Sequence, residues 1–294
     1  MNSVPASIQR VGAFLGRRPS SWQRVSPSSS PTLRWTVQFE DGQSAYIKIA
    51  NNPQTAQWLR SEYQIHRSFD ADFLPKLLGW LEDPRQPTMI LENLSTAVWP
   101  PPWTSDHVER VLQTLLRVHR SSIAMNRTLL ETKRMSEHTW AHVRANPQPF
   151  LSLGLCSHDW LQRALPVLER AEAMANLLGN DLMHGDIKSG NVCFVGLRTV
   201  FIDWNWACRG NGWVDIAMWL PSLEDEGGPR PEKVLADQAQ LAAAVAGNLA
   251  VRAPKPAPAL YPDLRPMQLR KLRRALPWAC RTLGLPIPDR VNPQ

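Results

Sequence analysis

LMHGDIKSGNVCFVGLRTVFIDWNW, running from Leu182 to Trp206, is the stretch on which the reading of the whole chain turns. Two apolar runs, Val192 to Val195 and Thr199 to Ile202, are separated by Gly196, Leu197 and Arg198. That pattern predicts a short β-hairpin with a three-residue loop. Pairing about Leu197 sets Asn191 opposite Asp203 at the open end, with Asp186 close by in a short polar loop. One amide oxygen and one carboxylate make a hard-oxygen pair. Such a pair suits Mg²⁺, which also keeps waters and substrate phosphates. The Asp186 carboxylate is left to receive a proton from a hydroxyl.

The stretch resembles the catalytic core of the aminoglycoside phosphotransferase and choline kinase family, distant relatives of the protein kinases. The family pattern is H-G-D-x-x-x-x-N, an apolar hairpin, then I-D-[WF]. Here it stands as His184, Gly185, Asp186 and Asn191, followed by Ile202, Asp203 and Trp204. A looser third part, a glycine shortly ahead of D-[IL]-A, is matched by Gly210 or Gly212 before Asp215, Ile216 and Ala217. The resemblance implies ATP-dependent phosphoryl transfer by an α+β, two-lobed, protein-kinase-like fold. Its small N-terminal lobe, an antiparallel sheet with one main helix, spans 1–94 and ends in a hinge. Its larger, mostly helical lobe spans 95–294 and binds the acceptor. The resemblance also implies ATP as donor, with GTP left open, and Mg²⁺ on Asn191 and Asp203. Asp186 orients the hydroxyl and takes its proton. Lys188 resembles the lysine that Ser/Thr kinases carry there, in reach of the γ-phosphate, with a surface lysine as the alternative. His184 braces the loop, and Asp215 resembles the structural aspartate that steadies it.

Leu33 to Phe39 and Ala45 to Ile49 read as strands joined at Asp41-Gly42, a favoured hairpin turn. Lys48 lies between two isoleucines, and strand neighbours alternate faces. Taken alone it reads as a solvated lysine. The resemblance makes it the strand lysine that contacts the α- and β-phosphates, paired with Glu62, the one glutamate of a helix predicted over Ala56 to Phe69. Further strands are predicted over Phe73 to Trp80 and Thr88 to Leu91. Glu92-Asn93-Leu94 then resembles the hinge whose backbone binds adenine, through Glu92 and Leu94. Residues 1–30 read as a mostly polar segment ending in a flexible Ser/Pro loop, and G-x-G-x-x-G is absent. Ser20 to Ser30 is therefore the stretch expected to cover the phosphates.

In the second half, Ser105 is the expected N-cap of a helix to about Ser122. His138 and His142 sit four apart on a predicted helix, a spacing read as a solvated face rather than a zinc site. A helix over Asp159 to Leu178 is expected to kink or break at Pro166, and one over Met267 to Leu283 at Pro277. An alanine-rich helix is expected from about Lys233 to Val251. Glu224, Asp225 and Glu226 read as a solvated loop, or else as part of a pocket for amino groups on the acceptor.

Composition narrows the function classes. The chain has 294 residues and a net charge of +7, enough for two lobes with ample core. Its basic residues are scattered and accompany no nucleic-acid motif, so no nucleic-acid partner is expected. Net basicity suits an anionic nucleotide. It weighs against a strongly polycationic acceptor unless acids cluster locally. The four cysteines form no C-x-x-C pair, and no run of 18 apolar residues occurs, so a cytoplasmic enzyme without a membrane partner is expected. The expected reaction is transfer of the ATP γ-phosphoryl group to a hydroxyl of a small molecule. An antibiotic of aminoglycoside or nucleoside type comes first, conferring resistance. A metabolic alcohol such as choline or an amino sugar comes second. A non-catalytic kinase-like binding module is the rival of a different class.

Overall fold

The computed structural model describes residues 4–25, 31–68, 70–121, 125–259 and 261–291. By internal contacts the chain falls into two compact units. One takes 1–99 with 190–207, and the other takes 100–189 with 208–294.

The first unit is built on a five-stranded antiparallel sheet. Its helices and strands are α1 (Ala6–Leu15), β1 (Pro19–Arg24), β2 (Leu33–Phe39), β3 (Ser44–Ile49), α2 (Pro53–Ser68), β4 (Leu77–Leu81) and β5 (Thr88–Glu92). The strand order is β1-β2-β3-β5-β4. The Asp41-Gly42 turn forms as expected, with Gly42 at φ 79°, a left-handed value that glycine adopts without strain. It sets Lys48 beside Arg34 on β2 and Met89 on β5. The period of two then sorts β3. Ala45, Ile47 and Ile49 pack with Ile8 and Val11 of α1. Met89 and Leu91 pack with Ala56 and Leu59 of α2. Lys48 therefore lies on the α2 side of the sheet.

Residues 1–30, read as a mostly polar segment ending in a loop, carry a helix and a strand not expected from the sequence where they are described. Ile8 and Val11 are fully buried in α1, and Pro19 opens the edge strand β1, the strand position where its missing N–H is tolerated. Residues 26–30, part of the stretch expected to cover the phosphates, lie outside the described residues. So do Phe69 and Ser122, the expected ends of two helices. α2 begins earlier than expected because Asn52 Oδ1 accepts the Thr55 N–H at 2.9 Å, with Pro53 at the first turn. β4 begins at Leu77 rather than Phe73, just past Pro75, which cannot donate to a ladder.

The hairpin of this unit is Val192–Val195 against Arg198–Phe201, with Val195 paired to Arg198. Its loop is two residues, Gly196 and Leu197, with Gly196 at φ 55°. The register is thus one residue off the expected one, and Asn191 falls opposite Ile202, whose N–H donates to the Asn191 carbonyl at 3.0 Å. Arg198 joins the strand because its guanidinium is tied down. It donates to the Leu74 and Asp72 carbonyls at 3.1 Å and to Glu92 Oε1 at 2.8 Å.

The second unit is helical. Its helices are α3 (Ser105–His119), α4 (Thr139–Ala145), α5 (Gln148–Leu151), α6 (His158–Ala173), α7 (Gly212–Asp225), α8 (Pro231–Val234), α9 (Ala239–Ala250) and α10 (Leu264–Leu283). Strands Asp181–Met183 and Cys208–Gly210 pair antiparallel. α9 is buried from Leu241 through Ala250, and α4, α6, α7 and α10 pack around it, as an all-round apolar helix requires. Gly247 is obligatory there, since a Cβ would collide with Thr139 and Trp140.

Several boundaries differ from the sequence reading. Thr104, not Ser105, caps α3, its hydroxyl accepting the His107 N–H at 3.1 Å. His138 precedes α4 in a left-handed conformation, so it shares no helix face with His142. α6 ends at Ala173, and the expected long alanine-rich helix is two helices, α8 and α9, separated at 235–238 with Asp237 at φ 56°. α10 continues through Pro277, because Leu272, Ala275, Leu276 and Trp278 are fully buried and tertiary packing outweighs the proline penalty. No described helix is long and apolar enough to cross a membrane.

Candidate active site

In the first unit, β3, α2 and the end of the hairpin converge on Lys48. Its Nζ donates to Glu62 Oε1 at 2.8 Å and Oε2 at 2.9 Å, and it also donates to Asp203 Oδ1. Lys48 and Glu62 are each 3% exposed, so Lys48 is not the solvated lysine that it reads as when taken alone. Burial pulls the Lys48 ammonium down. Asp203 and Glu62 outweigh that and hold it above its ordinary range, so it stays protonated. Asp203 leaves the strand at φ 63°, ψ 56°, which turns its carboxylate back toward Lys48.

Arg34 is a member of this cluster that the sequence reading missed. Its Nη2 lies 3.6 Å from Asp203 Oδ2. Its Nε is buried and has no acceptor among the described residues. The available signal was the Asp41-Gly42 hairpin, whose register makes Arg34 the direct neighbour of Lys48. Next to the cluster is a cavity of about 260 Å³, whose walls include Val25, Tyr46, Lys48, Leu91, Glu92, Leu94, Trp99 and Ile202. Glu92 spends its carboxylate on Arg198 and on the Lys76 N–H at 3.0 Å. The Leu94 carbonyl accepts Ala97 N–H at 3.0 Å and Trp99 Nε1–H at 3.3 Å, which fixes the segment. Asn191 is buried at the root of the hairpin.

In the second unit, Asp186 sits in the turn after the strand Asp181–Met183. Gly185 takes φ 78°, and Asp215 of α7 clamps the turn. Asp215 Oδ2 accepts the His184 N–H at 2.7 Å and Oδ1 the Gly185 N–H at 2.8 Å. His119 Nε2 lies 3.6 Å from Oδ2. His184 is fully buried, and its Nδ1 accepts the Asp186 N–H at 3.2 Å, the bracing position expected of it. Burial raises the Asp215 pKa, but His119 and the Gly185 N–H reverse that and leave it lowered.

Asp215→Ala strands two buried N–H groups without an acceptor. It is expected to destabilise the fold by about 3 kcal/mol or more, read as a lower urea midpoint. Because the folded-state pKa is depressed, the stabilisation is complete above the unfolded carboxylate pKa. The part tied to ionisation is lost as pH falls through the folded value, so the gap between wild type and variant should narrow in acid.

Arg134 and Lys188 grip Asp186 from two sides. Arg134 Nη2 donates to Oδ1, and Lys188 Nζ donates to Oδ2 at 2.8 Å. Arg134 Nε also donates to the Gly185 carbonyl at 3.1 Å. Burial alone would raise the Asp186 pKa, but the two cations hold it well below the usual carboxylate range. Lys188 thus meets Asp186 directly instead of standing as a surface lysine. Arg134 carried no sequence signal, being 52 residues from its partner.

A sequence profile of the phosphotransferase enzyme family matches residues 21–254, which include both of these clusters. The chain belongs to the phosphotransferase enzyme family. Solved structures share the phosphotransferase fold at low identity. An aminoglycoside phosphotransferase from Alicyclobacillus acidocaldarius is 14% identical with a TM-score of 0.54, over 97% of this chain and 95% of that one. A choline/ethanolamine kinase family protein from Mesorhizobium loti is 16% identical with a TM-score of 0.53, over 94% and 98%. A macrolide 2'-phosphotransferase type I is 16% identical with a TM-score of 0.52, over 97% and 95%. No curated protein sequence matches significantly. The protein is thus an α+β, kinase-like phosphotransferase.

Proposed function

We propose that this phosphotransferase moves the γ-phosphoryl group of ATP to a hydroxyl of a small molecule in the cytoplasm. The observation that carries the reading is the buried Lys48, joined at once to Glu62 and Asp203 beside an apolar cavity. A lysine held protonated by two carboxylates, with the orphaned Arg34 Nε in the same cluster, fits a triphosphate. We assign nucleotide binding to the lobe 1–94, with adenine against the backbone of Glu92 to Leu94. Acceptor binding is assigned to 95–294.

Mg²⁺ fits the donors available. Among the described residues no group of three His, Cys, Asp or Glu residues is placed to hold a metal. Mg²⁺ needs no such cage, because one carboxylate with phosphate oxygens and water is enough. Asp203 would supply the carboxylate and Asn191 the amide oxygen. Bound there, the ion offsets charge on the phosphates. The chain's own residues do the rest. Lys48 and Arg34 align the phosphates, and Glu62 keeps Lys48 in place. Asp186, kept ionised, orients the acceptor hydroxyl and takes its proton as the new oxygen–phosphorus bond forms and the bond from the γ-phosphorus to the departing ADP breaks. Lys188 offsets charge at the transferring group. This is alignment and electrostatics with little covalent chemistry by the protein.

ATP turnover with and without Mg²⁺ separates this reading from a non-catalytic binding module. Lys48→Met is expected to loosen ATP and reduce turnover, with Glu62→Gln a milder version of the same defect. The double variant should be little worse than Lys48→Met, because residues acting as a unit are non-additive. Losses that simply add would uncouple the pair and return Glu62 to a structural role.

A further inference from the structure

In the second unit, α10 carries Arg270, Arg273 and Arg274, spaced three and four residues apart, so their side chains leave one face of the helix. Gly284, at φ 67°, turns the chain back after α10. The returning segment is tied to the start of α6 and the residues before it. Trp160 Nε1–H donates to the Pro286 carbonyl at 2.9 Å, the Ser157 N–H to Asp289 Oδ1 at 2.6 Å, and the Arg290 N–H to the Leu155 carbonyl at 3.3 Å. These bonds fix Arg290 where it shares a cavity of about 350 Å³ with the three arginines of α10. Asp225, the last residue of α7, and the buried Leu155 also line it.

Four guanidinium groups thus line the cavity against one carboxylate. Asp225 meets Arg274 Nε at 3.4 Å and Arg270 Nε at 3.7 Å, long contacts divided between two partners. Arg273 and Arg290 make no ion pair or side-chain hydrogen bond with a described residue. Asp289, the acid next to Arg290, is spent on the Ser157 N–H. Arg270, Arg273 and Arg290 are exposed, so a ligand reaches them from solvent. Like charges gathered around one cavity repel, and an anion from outside the chain offsets that. The planar guanidinium fork matches two oxygens of a phosphate at once. Glu224 and Asp225 close α7, and Glu226 accepts Trp103 Nε1–H at 2.8 Å and the Ser189 hydroxyl at 2.7 Å. The segment 224–226 is therefore a helix end engaged inside its unit rather than a solvated loop. The arginines around Asp225 repel the amino groups that the other sequence reading gave it.

We propose that this cavity binds a small molecule bearing a phosphate group, with the phosphate on Arg273 and Arg290 and the organic body against Leu155 and Val291. A phosphate ester carries about −1.5 to −2 charges near pH 7, which suits this excess of guanidinium better than the single charge of a carboxylate. None of the lining residues is assigned to ATP or to the acceptor hydroxyl. The site is therefore independent of the phosphotransferase reading and is tested by binding alone.

The test uses the full chain with phenyl phosphate as probe, in titration calorimetry at about 0.1 M salt, where charges beyond about 10 Å are largely screened. Saturable binding is expected. Replacing both arginines, Arg273→Ala with Arg290→Ala, should weaken it about tenfold or more, the size of a lost hydrogen bond to a charged group. Lys48→Met should leave it in place. Benzoate, a similar ring with a single charge, should bind more weakly than phenyl phosphate. In wild type, phenyl phosphate should also protect Arg273 and Arg290 from modification by phenylglyoxal, read by mass spectrometry, a measurement that needs no variant to fold. Absence of saturable binding, or of protection, would overturn the inference. So would unchanged binding in the double variant, or loss of binding in Lys48→Met, which would place the anion at the Lys48 cluster. Tighter binding of benzoate would make the ligand a carboxylate and overturn it as well.

Discussion

Asp186→Ala is expected to lower phosphoryl transfer by about 10² to 10⁴ and to leave ATP affinity nearly unchanged. The separation follows from the architecture. The groups assigned to ATP, Lys48, Glu62 and the cavity wall, belong to the first unit, and Asp186 belongs to the second. Removing the carboxylate also leaves Arg134 and Lys188 facing one another without the charge between them. Asp186→Asn keeps the shape and serves as the partner variant, so that a loss of rate is not confused with a loss of fold. Transfer is measured at saturating ATP in a single turnover, and ATP affinity by equilibrium dialysis. Full turnover in either variant would remove Asp186 from the mechanism.

The second large effect is expected at Asp203. Asp203→Asn should weaken divalent-ion binding by at least about tenfold, the lower end of what lost outer-shell partners already cost a metal site. Asn191→Ala should cost less, because it removes a neutral oxygen and Asp203→Asn removes a full charge. Asparagine is among the residues best tolerated at positive φ, so the backbone at φ 63° should survive the change. Mn²⁺ binding followed by electron paramagnetic resonance, in the presence of ATP, reads the difference without relying on turnover. Equal affinity in Asp203→Asn and wild type would contradict the assignment. Lys48 should also respond. With Asp203 neutral, the largest of the charges opposing its burial is gone, so its pKa should fall relative to wild type.

What was legible in the chain by itself is the family's motif. His184, Gly185, Asp186, Asn191 and Asp203 stand at family spacing, which can be read without knowing the register of the hairpin between the last two. The pairing of Lys48 with Glu62 was legible for a related reason. A strand's period of two and a helix's single glutamate leave few partners to choose from, and the two meet at 2.8 Å. The Asp41-Gly42 turn was readable because few dipeptides accept its backbone angles.

Tertiary structure decided the rest. The hairpin register moved by one residue because Arg198 is captured by Glu92 and by carbonyls more than 120 residues earlier in the chain, which no local pattern records. α1 and β1 form because Ile8 and Val11 find a sheet to cover, although residues 1–30 as a whole are mostly polar. α10 passes through Pro277 because α7 and α9 bury it. Arg34, beside Asp203, and Arg134, on Asp186, each come from a part of the chain far in sequence from the carboxylate they meet. Periodicity and spacing are one-dimensional signals, whereas an electrostatic field is a sum over positions in space. The sequence by itself therefore determined the reaction class and the residues of its motif, and only the folded chain determined which charges surround them.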